Sequence, residues 1–140
     1  MKKKVLFLCT GNSCRSQMAE GFLKDLGGGE FESFSAGIAP TAVNPLAIKV
    51  MEETGIDISG QDSQSADEFS EEEFDYVVTV CDNAQKTCPV YPGEYRKVHW
   101  DLEDPADAAG TEEEKLEVFR KTRDLIKENV LKFINISKDV

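Results

Sequence analysis

Five residues, Thr10-Gly11-Asn12-Ser13-Cys14, separate Cys9 from Arg15. A nearly continuous apolar run, 4–9, leads into Cys9 and suits a strand buried on both faces. Thr10-Gly11-Asn12-Ser13 is a turn cluster, and from Arg15 the apolar spacing becomes helical. Strand, turn and helix in that order aim successive backbone N–H groups into a concavity at a positive helix end, which is an anion site. Cys9 would lie at its floor. Donated hydrogen bonds, the helix dipole and Arg15 are all expected to favour its thiolate. A guanidinium at Arg15 can grip two oxygens of a tetrahedral oxyanion, and Ser16 can add a hydrogen bond to the sulfur. The expected oxyanion-binding set is thus Thr10, Gly11, Asn12, Ser13, Cys14, Arg15 and Ser16. Asn12 suits a left-handed backbone position in such a loop. A nucleotide loop is excluded because no Gly-Lys-Ser/Thr follows. The bland alternative is a buried cysteine beside a capping turn, and the strand–turn–helix context argues against it.

Two further cysteines, Cys81 and Cys88, are separated by six residues. That is not the spacing of a Cys-x-x-Cys zinc site, and His99, the one histidine, leaves a Cys/His site short of ligands. A loop of this length can close into a disulfide, whereas two inert buried thiols are the competing reading. Asp104 could supply a proton to a departing oxide, with Pro105 stiffening its placement. By residue type alone it is one of 27 acids, and a solvated charge explains it equally well.

These side chains need elements to place them. The helix opened by Arg15 carries Met18, Ala19, Phe22, Leu23 and Leu26 on one face and stops at Gly27-Gly28-Gly29. A second strand is expected over 31–35, then a loop over 37–43. Asn44 caps the next helix with Pro45 at its first position, and that helix ends near Gly55. A polar loop over 59–65 precedes a short helix over 66–72. The β-branched run 76–80 is the clearest strand. The connection 82–95 is long enough to be functional, and a fourth strand spans 97–100. Thr111 and three glutamates open the last helix, whose core stripe is Leu116, Phe119, Ile126, Val130, Phe133 and Ile134. Strands alternating with helices predict a single α/β domain over residues 1–140, a doubly wound four-stranded parallel sheet with helices on both faces.

Composition narrows the function classes. Sixteen Lys+Arg against 27 Asp+Glu leave a formal charge of −11, which opposes binding to nucleic acid or to an anionic membrane. No apolar run reaches the ~20 residues of a membrane helix, and the basic start lacks the ~7–15 apolar residues of a secretory signal. A cytoplasmic location is expected, where cysteines are more often catalytic or metal-binding than structural.

The run Cys9-Thr10-Gly11-Asn12-Ser13-Cys14-Arg15-Ser16-Gln17-Met18-Ala19-Glu20-Gly21 resembles the signature of the thioredoxin-coupled arsenate reductases, which share the low-molecular-weight protein tyrosine phosphatase fold. The likeness continues through Ser35-Ala36-Gly37-Ile38, Asn44-Pro45, Gly55-Ile56-Asp57-Ile58-Ser59, Val77-Val78-Thr79-Val80-Cys81, Cys88-Pro89, His99-Trp100, Asp104-Pro105-Ala106 and 110–115. It implies that Cys9 attacks arsenate, Arg15 holds its oxygens and Asp104 is the acid. It further implies that Cys81 then Cys88 carry the oxidation to a disulfide that thioredoxin reduces, the chain acting as a monomer. Cys14 is not one of the three transfer thiols. Asn12, Glu20 and Ser35 match positions that bind potassium in some relatives. The family's further acidic ligand is displaced here, where the chain reads Gln61-Asp62-Ser63-Gln64-Ser65-Ala66-Asp67. No tightly bound cofactor is expected. Two other readings remain open: a phosphomonoesterase, although the aromatic platform that phosphatases of this fold carry after Asp-Pro is replaced by Ala106-Asp107-Ala108, and a non-catalytic oxyanion or redox sensor.

Overall fold

In the computed structural model, residues 2–12, 14–80 and 91–138 are described. Four strands, β1 (Lys3–Cys9), β2 (Phe31–Gly37), β3 (Tyr76–Thr79) and β4 (Arg96–His99), form one all-parallel sheet in the order β2-β1-β3-β4. Among the described residues, three α-helices accompany them: α1 (Arg15–Leu26), α2 (Pro45–Glu52) and α3 (Glu112–Lys138). β1 lies inside the sheet, and Val5, Leu6, Phe7, Leu8 and Cys9 are all buried, which accounts for the unbroken apolar run. Its register runs from Lys3 opposite Phe31 to Cys9 opposite Gly37, and Leu8 lies opposite Thr79 of β3.

Alternation along β2 separates the two faces. Ser33 and Ser35 bond to Glu20 of α1, and Phe31 meets Phe133 of α3. Phe34 points to the other face, where it packs edge-on against Phe69 and Phe74. The 3-10 helix Ala66–Phe69 therefore covers the face opposite α1 and α3, so helical elements lie on both faces as expected. Glu53, just beyond α2, joins α2 to α3 through Arg120 and Arg123, both at 2.8 Å. No helix among the described residues is long and apolar enough to cross a membrane.

Several boundaries differ from expectation. β2 runs on to Gly37, because Ala36 and Gly37 pair with Leu8 and Cys9. The helix over 66–72 is the shorter 3-10 turn, closed by a capping box in which Ser65 and Glu68 satisfy each other's backbone N–H. α2 ends at Glu52, and Gly55 (φ +85) turns the chain away. β4 begins and ends one residue early, with the Trp100 N–H bonded to Thr79. The connection 82–95 falls largely outside the described residues.

The sheet order places β2 on one side of β1 and β3 on the other. The crevice beyond the carboxyl ends of β1 and β3 is thus a topological switch point, where open α/β sheets bind ligands. Cys9 stands at that end of β1.

Candidate active site

The chain leaves β1 at Cys9 and turns before α1 starts at Arg15. The strand-side carbonyls of this turn point outward: Cys9, Thr10 and Gly11 accept from the N–H groups of Ile38, Ala39 and Thr41 at 3.1, 2.8 and 2.9 Å. This close packing requires a bare backbone at Gly37, where an added Cβ would sit 2.7 Å from the Thr10 oxygen. Asn12 adopts φ +48, the left-handed conformation expected of it. Its N–H then points inward and donates to Cys9 Sγ at 3.1 Å.

Ser16, fully buried in the first turn of α1, lies 2.9 Å from the same sulfur. Its oxygen accepts from Asn12 Nδ2 at 2.8 Å, and its hydroxyl donates to Cys9 when the sulfur is a thiolate, which can only accept. Cys14 takes the N-cap position of α1, is buried, and accepts from Met18 N–H through its carbonyl. Ser13 lies outside the described residues.

Burial pushes the Cys9 thiol up, while the Ser16 hydrogen bonds, the Arg15 charge and the Asn12 N–H each pull it down towards the thiolate. Arg15 is itself anchored at the strand ends. Its Nη1 donates to the carbonyls of Leu102 (2.8 Å) and Val80 (3.3 Å), and Nη2 lies 3.5 Å from Asp104 Oδ2. The same bonds tie α1 to the ends of β3 and of the loop after β4, which brings Asp104 to the site from far along the chain.

Asp104 is half-exposed, and its Oδ1 accepts from Ala106 N–H at 3.0 Å, capping the turn Pro105–Asp107. Pro105 thus sets the turn's first position, and the cap holds Oδ2 towards Arg15. Cys9, Arg15 and Asp104 are brought together; Cys81 and Cys88 lie outside the described residues. His99 bonds to Thr79 Oγ1 (2.8 Å), and Trp100 packs tilted against Phe7 and edge-on against Phe133 at the strand end.

The potassium positions gather only in part. Glu20 accepts from Ser35 and forms an ion pair with Lys24. Asn12 Oδ1 instead accepts from Gln64 N–H at 2.8 Å. Among the described residues no group of three or more His, Cys, Asp or Glu side chains could hold a metal ion.

Sequence reasoning missed the support behind the loop. Gln17 is fully buried and bonds to the carbonyls of Asn12 and Asp62, both at 3.0 Å, while Gln61 bonds back to Gln17. The available signal was a polar amide directly before the apolar pair Met18-Ala19. The partners in 61–64 carried no signal, because they read as an ordinary polar loop.

The family model for low molecular weight phosphotyrosine protein phosphatase matches residues 4–140. An arsenate reductase of Halalkalibacterium halodurans is 50% identical over 137 residues, covering 98% of this chain and 99% of that protein. A solved arsenate reductase in its oxidized state superposes with a TM-score of 0.81 at 41% identity, covering 95% of this chain and 97% of the other. A thioredoxin-dependent arsenate reductase of Corynebacterium glutamicum superposes at 0.69 with 29% identity, covering 97% of this chain and 63% of that one.

Proposed function

Because the chain belongs to the low molecular weight phosphotyrosine protein phosphatase family, we propose that its Cys9 loop performs the oxyanion chemistry of that fold on arsenate, and that the oxidation then passes along a cysteine relay. The chain is an arsenate reductase, in line with its relatives of that name. The observation that carries this reading is Cys9 Sγ held by the Asn12 N–H and the Ser16 hydroxyl at the N-terminus of α1, with the Arg15–Asp104 pair beside it.

In the proposed sequence, Cys9 attacks arsenic as the thiolate. The loop amides and Arg15 hold the arsenate oxygens, and Asp104 protonates the departing hydroxyl, which leaves as water. Arrival of the dianion gives Arg15 a further partner and draws its charge towards the loop. Cys81 then attacks Cys9 Sγ. A disulfide forms, the S–As bond breaks, and its electron pair stays on arsenic, which leaves as arsenite. Cys88 attacks Cys81, freeing Cys9 and leaving a Cys81–Cys88 disulfide. A thioredoxin dithiol reduces that bond, as the name of the Corynebacterium relative suggests. The relay requires reduced thiols, so we place the chain in the cytoplasm, acting as a monomer. A potassium ion near Glu20 is not needed for any step.

The test is a coupled assay with arsenate, thioredoxin, thioredoxin reductase and a nicotinamide readout, run beside aryl phosphate hydrolysis. Arsenate-dependent oxidation of the nicotinamide is expected, lost in Cys9→Ser and Arg15→Ala. Retention of most turnover by Cys9→Ser would reject the mechanism. Efficient aryl phosphate hydrolysis without arsenate turnover would make the chain a phosphatase.

A further inference from the structure

Gln17 follows Arg15 by two residues on α1 and is fully buried, so its amide must find partners inside the protein. Both hydrogen bonds from Nε2 go to backbone carbonyls: that of Asn12 in the oxyanion loop and that of Asp62 in the segment behind it, each at 3.0 Å. Its Oε1 accepts from Gln61 Nε2 at 2.7 Å, and Gln61 also bonds the Gln17 carbonyl at 3.0 Å. The same segment reaches the loop twice more. Gln64 N–H holds Asn12 Oδ1 at 2.8 Å, and the Ser63 hydroxyl donates to the Gly11 carbonyl at 3.2 Å.

The position held by Gln17 is the one most able to go wrong. Asn12 is the sole residue other than glycine with positive φ among the described residues. A left-handed residue is sparsely populated and persists only where its surroundings determine it. If the peptide after Asn12 turned over, its carbonyl oxygen would face an arriving oxyanion and repel it. By accepting from Gln17, that carbonyl is kept on the far side of the loop.

We propose that Gln17, braced by Gln61, is a positioning residue for the reaction: it holds the Asn12 carbonyl out of the oxyanion site and so keeps the loop's donors turned towards the anion. The inference rests on the oxyanion-site reading above. It adds that affinity for the anion depends on a buried amide that never touches it.

Inorganic phosphate is the probe. Wild type, Gln17→Met and Gln61→Ala are alkylated with iodoacetamide across pH, with and without phosphate, and Cys9 is followed by peptide mass spectrometry. Arsenate KM and kcat are measured in parallel, and circular dichroism checks folding. In Gln17→Met the phosphate concentration that half-protects Cys9 should rise roughly tenfold, as expected for about one net hydrogen bond of preorganisation. Arsenate KM should rise with it, and Cys9 alkylation without phosphate should keep its pH dependence, because the Asn12 N–H belongs to the peptide before Asn12 and stays on the sulfur. Gln61→Ala should show the same pattern, about threefold, and carries the test should Gln17→Met not fold. Half-protection within twofold of wild type in a folded Gln17→Met, or in Gln61→Ala where Gln17→Met fails to fold, overturns the proposal. Wild type that phosphate does not protect overturns the oxyanion-site reading, and this proposal with it.

Discussion

Ser16→Ala removes one oxygen from the centre of the site and tests how the loop makes a nucleophile. The hydroxyl is fully buried, 2.9 Å from Cys9 Sγ, and accepts from Asn12 Nδ2 at 2.8 Å. Burial holds the Cys9 thiol up, and Ser16 is the strongest influence pulling it back. A hydrogen bond to a charged group contributes about 1.5–3 kcal/mol net, and a buried site gives no reason to discount it. At 1.36 kcal/mol per tenfold, the thiolate fraction at neutral pH should fall about ten- to a hundredfold. Iodoacetamide alkylation of Cys9 should shift to higher pH, and the single-turnover rate with arsenate at pH 7 should fall by the same factor. Both rates should converge on wild type in alkali, where both proteins are ionised. Linkage has a definite sign here. A folded thiol held up is stabilising below the ordinary thiol range, and that stability is lost as pH rises through the folded value. The Tm gap between wild type and variant should therefore widen on the alkaline side. On top of this, a pH-independent loss of about 1–3 kcal/mol is expected from the orphaned Asn12 Nδ2. Coincident alkylation curves for the two proteins would refute the reasoning, because Ser16 would then not be donating to the sulfur.

Asp104→Asn should slow the arsenate step by ~10²–10⁴ in single turnover while sparing later disulfide exchange; a rate within about twofold of wild type removes Asp104 from the acid role. Cys88→Ser should release one arsenite per enzyme and stall with Cys9 linked to Cys81, and mass spectrometry showing unmodified Cys81 would count against the relay. Glu53 is pulled down to about 2 by Arg120 and then Arg123. A carboxylate held down stabilises above its ordinary range and loses that contribution as pH falls towards the folded value. Glu53→Gln should therefore lower Tm at pH 7 but flatten its decline between the ordinary carboxylate value of 4.5 and about 2, and salt should shrink the difference. Parallel melting curves across that range would exclude the Glu53 link between α2 and α3 as the cause.

The sequence by itself determined what is local. The apolar run into Cys9, the turn residues after it and the helical spacing from Arg15 set the strand–turn–helix, because each follows from backbone preference and burial over a few residues. Asn44-Pro45 opened α2 as expected, with Asn44 Oδ1 accepting from Leu46 N–H. The left-handed Asn12 was legible too, since few other residue types accept that conformation. Boundaries set by a neighbour were not legible. β2 extends to Gly37 only because Leu8 and Cys9 pair with its end, and the 66–72 helix shrinks to a capped turn against Phe34.

What tertiary structure decided are the distances between groups far apart in the chain. Sequence could nominate Asp104, but only the folded sheet places it 3.5 Å from Arg15, through carbonyls at Val80 and Leu102 that any residue types would supply. It could nominate Cys9 as a thiolate, but not weigh burial against hydrogen bonds, because desolvation depends on everything packed around the sulfur. Gln17 was legible as a residue and illegible as a brace. Its partners at Asn12 and Asp62 are backbone carbonyls, which carry no residue-type signature, so only the fold could bring them to it.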